Sequence, residues 1–121
     1  MKYRESEEMY LETILLMNKD GKSIRSIDIA SELNYSRASV SIALKKLVEK
    51  GYVNVNSLGY VILTEEGEEK ANNIYERHCI ITKVLMDLGA SKELAEDNAC
   101  NIEHVVTDEL IEVLKQYINK W

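Results

Sequence analysis

Ser26-Ile27-Asp28-Ile29-Ala30-Ser31-Glu32-Leu33-Asn34-Tyr35-Ser36-Arg37-Ala38-Ser39-Val40-Ser41-Ile42-Ala43-Leu44-Lys45-Lys46-Leu47-Val48-Glu49-Lys50-Gly51 holds two short helical patterns separated by Asn34-Tyr35-Ser36. Ser26 is placed to cap the first, which turns Ile27, Ile29, Ala30 and Leu33 inward. Ser36 is placed to cap the second, expected over 37–50, with Val40, Leu44, Leu47 and Val48 as its apolar stripe. Gly51 ends it at a position suited to the left-handed conformation. Two short helices, a tight turn and a basic second helix predict a helix-turn-helix that reads the major groove of duplex DNA. Arg37, Ser41, Ile42 and Lys45 fall opposite the stripe, Arg37 and Lys45 towards phosphates and Ile42 able to meet a thymine methyl. The short side chains of Ser36, Ala38, Ser39 and Ser41 let the helix start approach bases and phosphates closely.

The chain on either side completes a domain. Tyr52-Val53-Asn54-Val55 and Tyr60-Val61-Ile62-Leu63 are β-prone and joined by Asn56-Ser57-Leu58-Gly59, a hairpin that adds a wing. Upstream, Ser6 caps a helix with Met9, Tyr10, Thr13, Ile14 and Met17 on one face, stopped by Asn18-Lys19-Asp20-Gly21. Lys22-Ser23-Ile24-Arg25 reads as a short extended lead-in. Downstream, Thr64 caps a long helix over 65–88 that ends before Gly89, with Ile74, Ile81, Val84, Leu85 and Leu88 at helical spacing. Ser91 caps another over 92–105, and Thr107 a last one whose face Leu110, Ile111, Leu114 and Ile118 is expected to form a homodimer interface. The fold expected is mainly α with a small β-hairpin: a winged helix-turn-helix DNA-binding domain over 1–72, then a helical metal-binding and dimerisation domain over 73–121.

Composition agrees. Phe and Pro are absent and Gly numbers 5 in 121 residues, which favours helices over long loops. The net charge of -6 argues against nucleic acid until it is mapped. Residues 21–60 carry Lys22, Arg25, Arg37, Lys45, Lys46 and Lys50 against only Asp28, Glu32 and Glu49, so the basic surplus sits on the expected DNA reader. No apolar run approaches a membrane span, and Met1 to Glu8 lacks the apolar core of a signal peptide, so the cytoplasm is the expected location. Two cysteines in an intracellular chain are expected reduced. No His-Glu-x-x-His helix, Gly-rich phosphate loop or nucleophile motif is present, and the chain does not read as an enzyme.

Cys100-Asn101-Ile102-Glu103-His104 carries the other chemistry. At i, i+3 and i+4 on a helix, the Cys100 thiol, Glu103 carboxylate and His104 imidazole share one face, three metal-ligand types in one turn. Met9 and Glu12 have the same i, i+3 relation in the first helix. Taken alone, Met9 reads as core filling, Glu12 as a solvated carboxylate and His78 as an ordinary polar residue of the long helix.

The order winged helix, long helix, Cys-x-x-Glu-His resembles the diphtheria toxin repressor family, including its shorter manganese transport regulators. The matching stretches are Glu8-Met9-Tyr10-Leu11, Asp28-Ile29-Ala30, Val40-Ser41, Leu63-Thr64-Glu65-Glu66-Gly67, Arg77-His78 and Cys100 to His104. The resemblance implies a dimeric, metal-activated repressor that binds operator DNA and controls metal uptake. It implies one metal site from Met9, Cys100, Glu103 and His104, which match the ligands of the iron-responsive branch. In the manganese branch an Asp and a Glu stand in place of Met9 and Cys100, but Glu12 and His78 match ligands of that branch. A second site through His78, Glu12 and Glu96 is implied, although Thr82 and Glu96 replace a Glu and a His of the iron branch. The C-terminal SH3-like domain of longer members is not expected after Trp121. The sulfur donors favour Fe(II), with Mn(II), Co(II), Ni(II) and Zn(II) as alternatives; the soft ligands suit Mn(II) least. The other readings are a manganese-responsive regulator of the same family, and a winged-helix regulator sensing redox state or an organic ligand through Cys79 or Cys100.

Overall fold

A computed structural model describes residues 6–19 and 21–119; Asp20, part of the expected stop after the first helix, lies outside them, as does Trp121. The chain divides into two compact units, Glu5–Asn72 and Asn73–Trp121. Six helices and one antiparallel hairpin are assigned among the described residues.

The first unit starts with α1 (Glu7–Met17), whose free N-terminal amides are met by Ser6: its hydroxyl oxygen accepts from the Met9 amide at 3.1 Å. Its inner face buries Met9, Tyr10, Leu11 and Ile14. In α2 (Ser26–Leu33) the cap is Arg25 rather than Ser26, because the Asp28 carboxylate accepts from the Arg25 amide at 2.9 Å and draws the helix start back one residue. Ile29 and Ala30 are buried, whereas Ile27, expected inside, is 44% exposed, since it stands about 200° from Ile29 around the helix. Asn34 takes a left-handed backbone, φ 57°, and turns the chain into α3 (Arg37–Glu49). The Ser36 hydroxyl accepts from the Ser39 amide at 3.1 Å, as the spacing predicts. Val40, Leu44 and Leu47 are buried; Val48 lies at the edge of that stripe and is exposed.

Strands β1 (Val53–Val55) and β2 (Val61–Leu63) pair with Val53 opposite Leu63 and Val55 opposite Val61. The Asn56 side-chain oxygen accepts from the amides of Leu58 and Tyr60, each at 3.0 Å, and so shapes the wing tip. The lead-in is more than a linker: the Val61 amide donates to the Ile24 carbonyl at 2.8 Å, and Arg25 forms a bridge with Tyr60. Tyr10, Leu11, Ile14, Ile29, Val40, Leu47, Val53 and Val61 are the largest apolar side chains shut from solvent here. At about 1.5–3 kcal/mol for each such burial, they supply most of what holds three short helices to a short hairpin.

The long helix α4 (Glu65–Asp87) begins in the first unit and continues into the second. Thr64 starts it: its hydroxyl donates to the Gly51 carbonyl at 2.6 Å and accepts from the Gly67 amide at 3.1 Å. Gly67 presses on the Tyr52 backbone, where a Cβ would stand 1.9 Å from the carbonyl oxygen. In the second unit, α4 is followed by α5 (Lys92–Ile102) and α6 (Asp108–Asn119). Ser91 and Thr107 cap these two by accepting from the amides of Leu94 and Leu110.

Three expectations change in the second unit. Leu88 lies past the end of α4 and is 71% exposed, because Gly89 takes a left-handed φ of 113° and the helix stops at Asp87. The α6 face Ile111, Leu114 and Ile118 packs with Ile80, Ile81, Leu85, Ala99 and Ile102 into the unit's own core, Ile111 buried and Leu114 and Ile118 partly so, and of the four expected residues Leu110 stays exposed. Finally, α5 ends at Ile102, so Glu103 is its C-terminal cap and His104 lies in the following turn. There the amides of His104 and Val105 bond to carbonyls three residues back, tightening the chain beyond α geometry. Among the described residues no helix is long and apolar enough to cross a membrane.

Candidate metal centre

His78 comes from the middle of α4, Cys100 from the last turn of α5, and Glu103 and His104 from the turn that follows. The helix ends before Glu103, yet its amide still bonds to the Ala99 carbonyl at 2.9 Å. Glu103 is thereby kept near Cys100, as the i, i+3 spacing anticipates. One Glu103 carboxylate oxygen lies 3.0 Å from Nδ1 of His78, and the other 3.3 Å from Nε2 of His104. Cys100 Sγ is 3.9 Å from the same His78 Nδ1. The ring of Tyr75, one turn earlier on α4, stacks beside the His78 imidazole at 6.3 Å between centroids.

The Glu103 side chain is fully buried, and those of His104 and His78 are 5% and 18% exposed. A carboxylate taken out of water is costly unless a cation accompanies it. Here His78 provides that cation: Cys100 beside its ring nitrogen and the Glu103 carboxylate together push it from 6.5 up to about 10, against the opposing effect of burial. At neutral pH the site therefore carries a proton on His78 where a divalent cation would meet the same Glu103 oxygen.

The donor set fits a transition metal. Ligands 2.0–2.3 Å from one ion stand about 3–4 Å from one another. The nitrogen, oxygen and sulfur atoms of this cluster stand 3.0, 3.3 and 3.9 Å apart in the three pairs given above. Thiolate, carboxylate and imidazole are the ligand types that first-row divalent ions accept, and a thiolate sets the site apart from all-oxygen ones. Glu96 lies one turn before Cys100 on α5, half-buried, and among the described residues it makes no ion pair with this cluster. Cys100 and Cys79 are both free thiols. Met9 and Glu12 belong to the first unit, Met9 buried in its core and Glu12 half-buried on α1.

Sequence reasoning passes over one contributor. Arg77 counts there only as half of a matching dipeptide, but its guanidinium binds the turn that carries Glu103 and His104. Its position beside His78 on a helix is the one signal that pointed to it.

On the first unit, the α3 residues expected at DNA are all surface residues: Ser36, Arg37, Ala38, Ser39, Ser41, Ile42 and Lys45. Ile42 is 59% exposed. The Ser36 and Ser39 hydroxyls are joined at 2.9 Å within the cap.

Comparison with known proteins bears on both units. Residues 2–61 match the sequence profile described as the N-terminal DNA binding domain of iron dependent repressors. Residues 64–121 match the one described as their metal binding and dimerisation domain. The chain is 36% identical over 119 residues to an uncharacterised helix-turn-helix-type transcriptional regulator of Methanocaldococcus jannaschii, covering 97% of this chain and 95% of that protein. It is 32% identical over 117 residues to the transcriptional regulator MntR of Escherichia coli, covering 97% of this chain and 76% of that one. Among solved structures it is similar to the manganese regulator SloR, with a TM-score of 0.85 and 28% identity over 98% of this chain; the match spans 55% of that protein.

Proposed function

The chain belongs to the iron-dependent repressor family, and from that premise we propose that it is a repressor whose hold on operator DNA is switched on by Fe(II). A metal-dependent, DNA-binding, dimeric transcriptional regulator, not an enzyme, is what family membership establishes. Fe(II) as the ion, the ligand residues and the DNA-reading residues are our reading. The observation that carries it is the Cys100 thiol facing the same His78 nitrogen as the buried Glu103 carboxylate.

We assign His78, Cys100, Glu103 and His104 as the ligands of the second unit. Met9 and Glu12 enter the set through the resemblance, and Glu96 as a further oxygen. The bound ion supplies a concentrated positive charge and prefers sulfur more strongly as Fe(II) than as Mn(II). The residues do the rest. His78 would hold the ion through Nδ1 after releasing its proton to solvent, and Glu103 would keep its negative charge and face the ion in place of the imidazolium. Cys100 would hold the ion as a thiolate, its proton passing to solvent, and His104 would offer Nε2. Because operator DNA and metal favour the same state of the protein, each strengthens the binding of the other by an equal factor. On the first unit, Arg37 and Lys45 hold phosphates, while Ser39, Ser41 and Ile42 lie nearest the bases. Such a regulator works where the genome is, in the cytoplasm.

A manganese-responsive regulator is the second reading, favoured by the likeness to the manganese regulator SloR. The test is anaerobic: genomic DNA fragments selected by the metal-loaded protein are titrated with protein in Fe(II), in Mn(II) and in chelator. Tighter binding in Fe(II), lost in chelator, is expected for the wild type. The replacement of Met9→Asp with Cys100→Glu is expected to tilt activation towards Mn(II). Equal or better activation of the wild type by Mn(II) overturns the choice of iron, and equal binding in chelator overturns metal control itself.

A further inference from the structure

Arg77 and His78 are consecutive on α4, and both reach Glu103. Nη1 of Arg77 stands 3.4 Å from the Glu103 carbonyl oxygen and 3.4 Å from that of Val106. Its Nη2 pairs with the Asp108 carboxylate at the start of α6. His78 meets the Glu103 carboxylate at 3.0 Å. One helix thus takes Glu103 from two sides, backbone and side chain. We propose that Arg77 is a positioning residue of the metal centre, fixing the turn after α5 so that Glu103 and His104 present their donors to one point.

The physical need comes from where α5 ends. Had the helix continued through Val105, hydrogen bonds along its own axis would hold Glu103 and His104. It stops at Ile102, and the carbonyls of the last turn and beyond lose the amides that would follow four residues later. Within the turn, the bonds of His104, Val105 and Val106 run back to the carbonyls of Asn101 and Ile102. Those of Glu103 and Val106 receive the guanidinium instead. A planar fork with several donors in fixed relation can bind two carbonyls and a carboxylate at once, which a lysine cannot. Successive helical residues point about 100° apart, so Arg77 approaches the turn from its backbone side while His78 faces the donor atoms. Ligands left without such support lose about 10- to 100-fold in metal affinity.

The inference rests on the assignment of His78, Cys100, Glu103 and His104 as ligands. Anaerobic Co(II) titration tests both, with Kd from competition against a chelator and the thiolate-to-Co(II) charge-transfer absorption as the spectroscopic signature. Wild type, Arg77→Ala, Arg77→Lys, Asp108→Asn and Ile111→Val are compared, each with its apo melting temperature. Ile111 is a buried core residue of the same unit with no donor atom in its side chain, so Ile111→Val reports what loss of stability alone does. Expected are a 10- to 100-fold weaker Kd and an altered charge-transfer band for Arg77→Ala. Arg77→Lys is expected to weaken binding by at least 5-fold, about half the lower limit for lost ligand support, and Asp108→Asn, which spares both carbonyl contacts, by less than Arg77→Ala. Should Arg77→Ala fail to fold, Arg77→Lys decides by the same 5-fold criterion. A wild-type Kd and band in the arginine variants overturn the inference. So does an equal loss in Ile111→Val, since it makes Arg77 a general stabiliser. Absence of Co(II) binding by the wild type, in contrast, overturns the ligand assignment on which the inference stands.

Discussion

Glu103 is the residue on which the proposed metal centre would depend, because its buried carboxylate joins two imidazoles from different elements. Glu103→Gln keeps the shape and removes the charge. It is expected to lower metal affinity by at least about 100-fold while leaving the helical circular dichroism of the apo protein unchanged. The protonation of His78 gives a second handle. Its folded value of about 10 lies above its ordinary 6.5, so the stability it contributes is fully present below pH 6.5 and is lost as pH rises through 10. Metal binding has the opposite dependence: below pH 10 the ion must displace that proton, so affinity falls as pH falls. Log Kd should change by about one unit per pH unit from His78 alone across neutral pH, and a flat profile in a chelator-competition titration would falsify this proton exchange. Far from the metal, Gly67→Ala would push a methyl group into the Tyr52 carbonyl. A loss of about 3 kcal/mol, at the upper end for overpacking, is expected in urea unfolding.

Among the elements, α3 carries the DNA prediction. The double replacement Arg37→Ala, Lys45→Ala removes two exposed cations from one face. It should weaken binding to all sequences and reduce the slope of log affinity against log salt by about two units. Normal binding by that protein in saturating metal would show that α3 does not lie along the phosphates as assigned. Ser36→Ala removes the cap of the same helix and should cost about 1 kcal/mol of stability. The start of α1 is tied down by charge: Glu7 accepts from Lys50 after α3 and from Lys70 on α4, and Lys70 also lies over the Tyr52 ring at 4.8 Å. Burial raises the Glu7 carboxyl, but the two lysines outweigh it and hold it below its ordinary 4.5. A depressed acid stabilises above its ordinary value and loses that contribution as pH falls. Glu7→Gln should therefore lower the melting temperature at pH 7 and make little difference at pH 3.

At the scale of the whole molecule, the unit that binds metal is also the one that dimerises. The face of α6 that the pattern offered as an interface packs in part on the unit's own core, which leaves Met86, Leu88, Leu94, Val105, Leu110 and Val113 as the large exposed apolar side chains among that unit's described residues. Leu110 and Val113 lie three apart on the outer side of α6, a spacing that forms one surface ridge. Leu110→Asp with Val113→Asp is expected to give a folded monomer by analytical ultracentrifugation, with operator affinity reduced by far more than metal affinity. An intact dimer would move the interface off α6. The same pairing of sites in one chain makes metal and DNA reciprocal ligands, so operator DNA should tighten Co(II) binding by the factor with which Co(II) tightens operator binding.

The amino-acid sequence by itself determined the element order, most of the helix starts and the wing, because these rest on local chemistry. A serine or threonine meets free amides within three residues, and Gly51 and Gly89 permit a left-handed backbone. The residues proposed as metal ligands stood out in the sequence for the same reason: Cys100, Glu103 and His104 lie within one turn of chain. The tertiary structure alone decided which apolar stripe faces its own unit, so that Ile27, Val48 and Leu88 lie outside and α6 packs inward. It alone ended α5 at Ile102, brought His78 across twenty-two residues to Cys100, and put Arg77 on the turn. Those outcomes depend on which surfaces compete for burial and which carbonyls lack a donor, and both are properties of packed neighbours rather than of spacing along a chain.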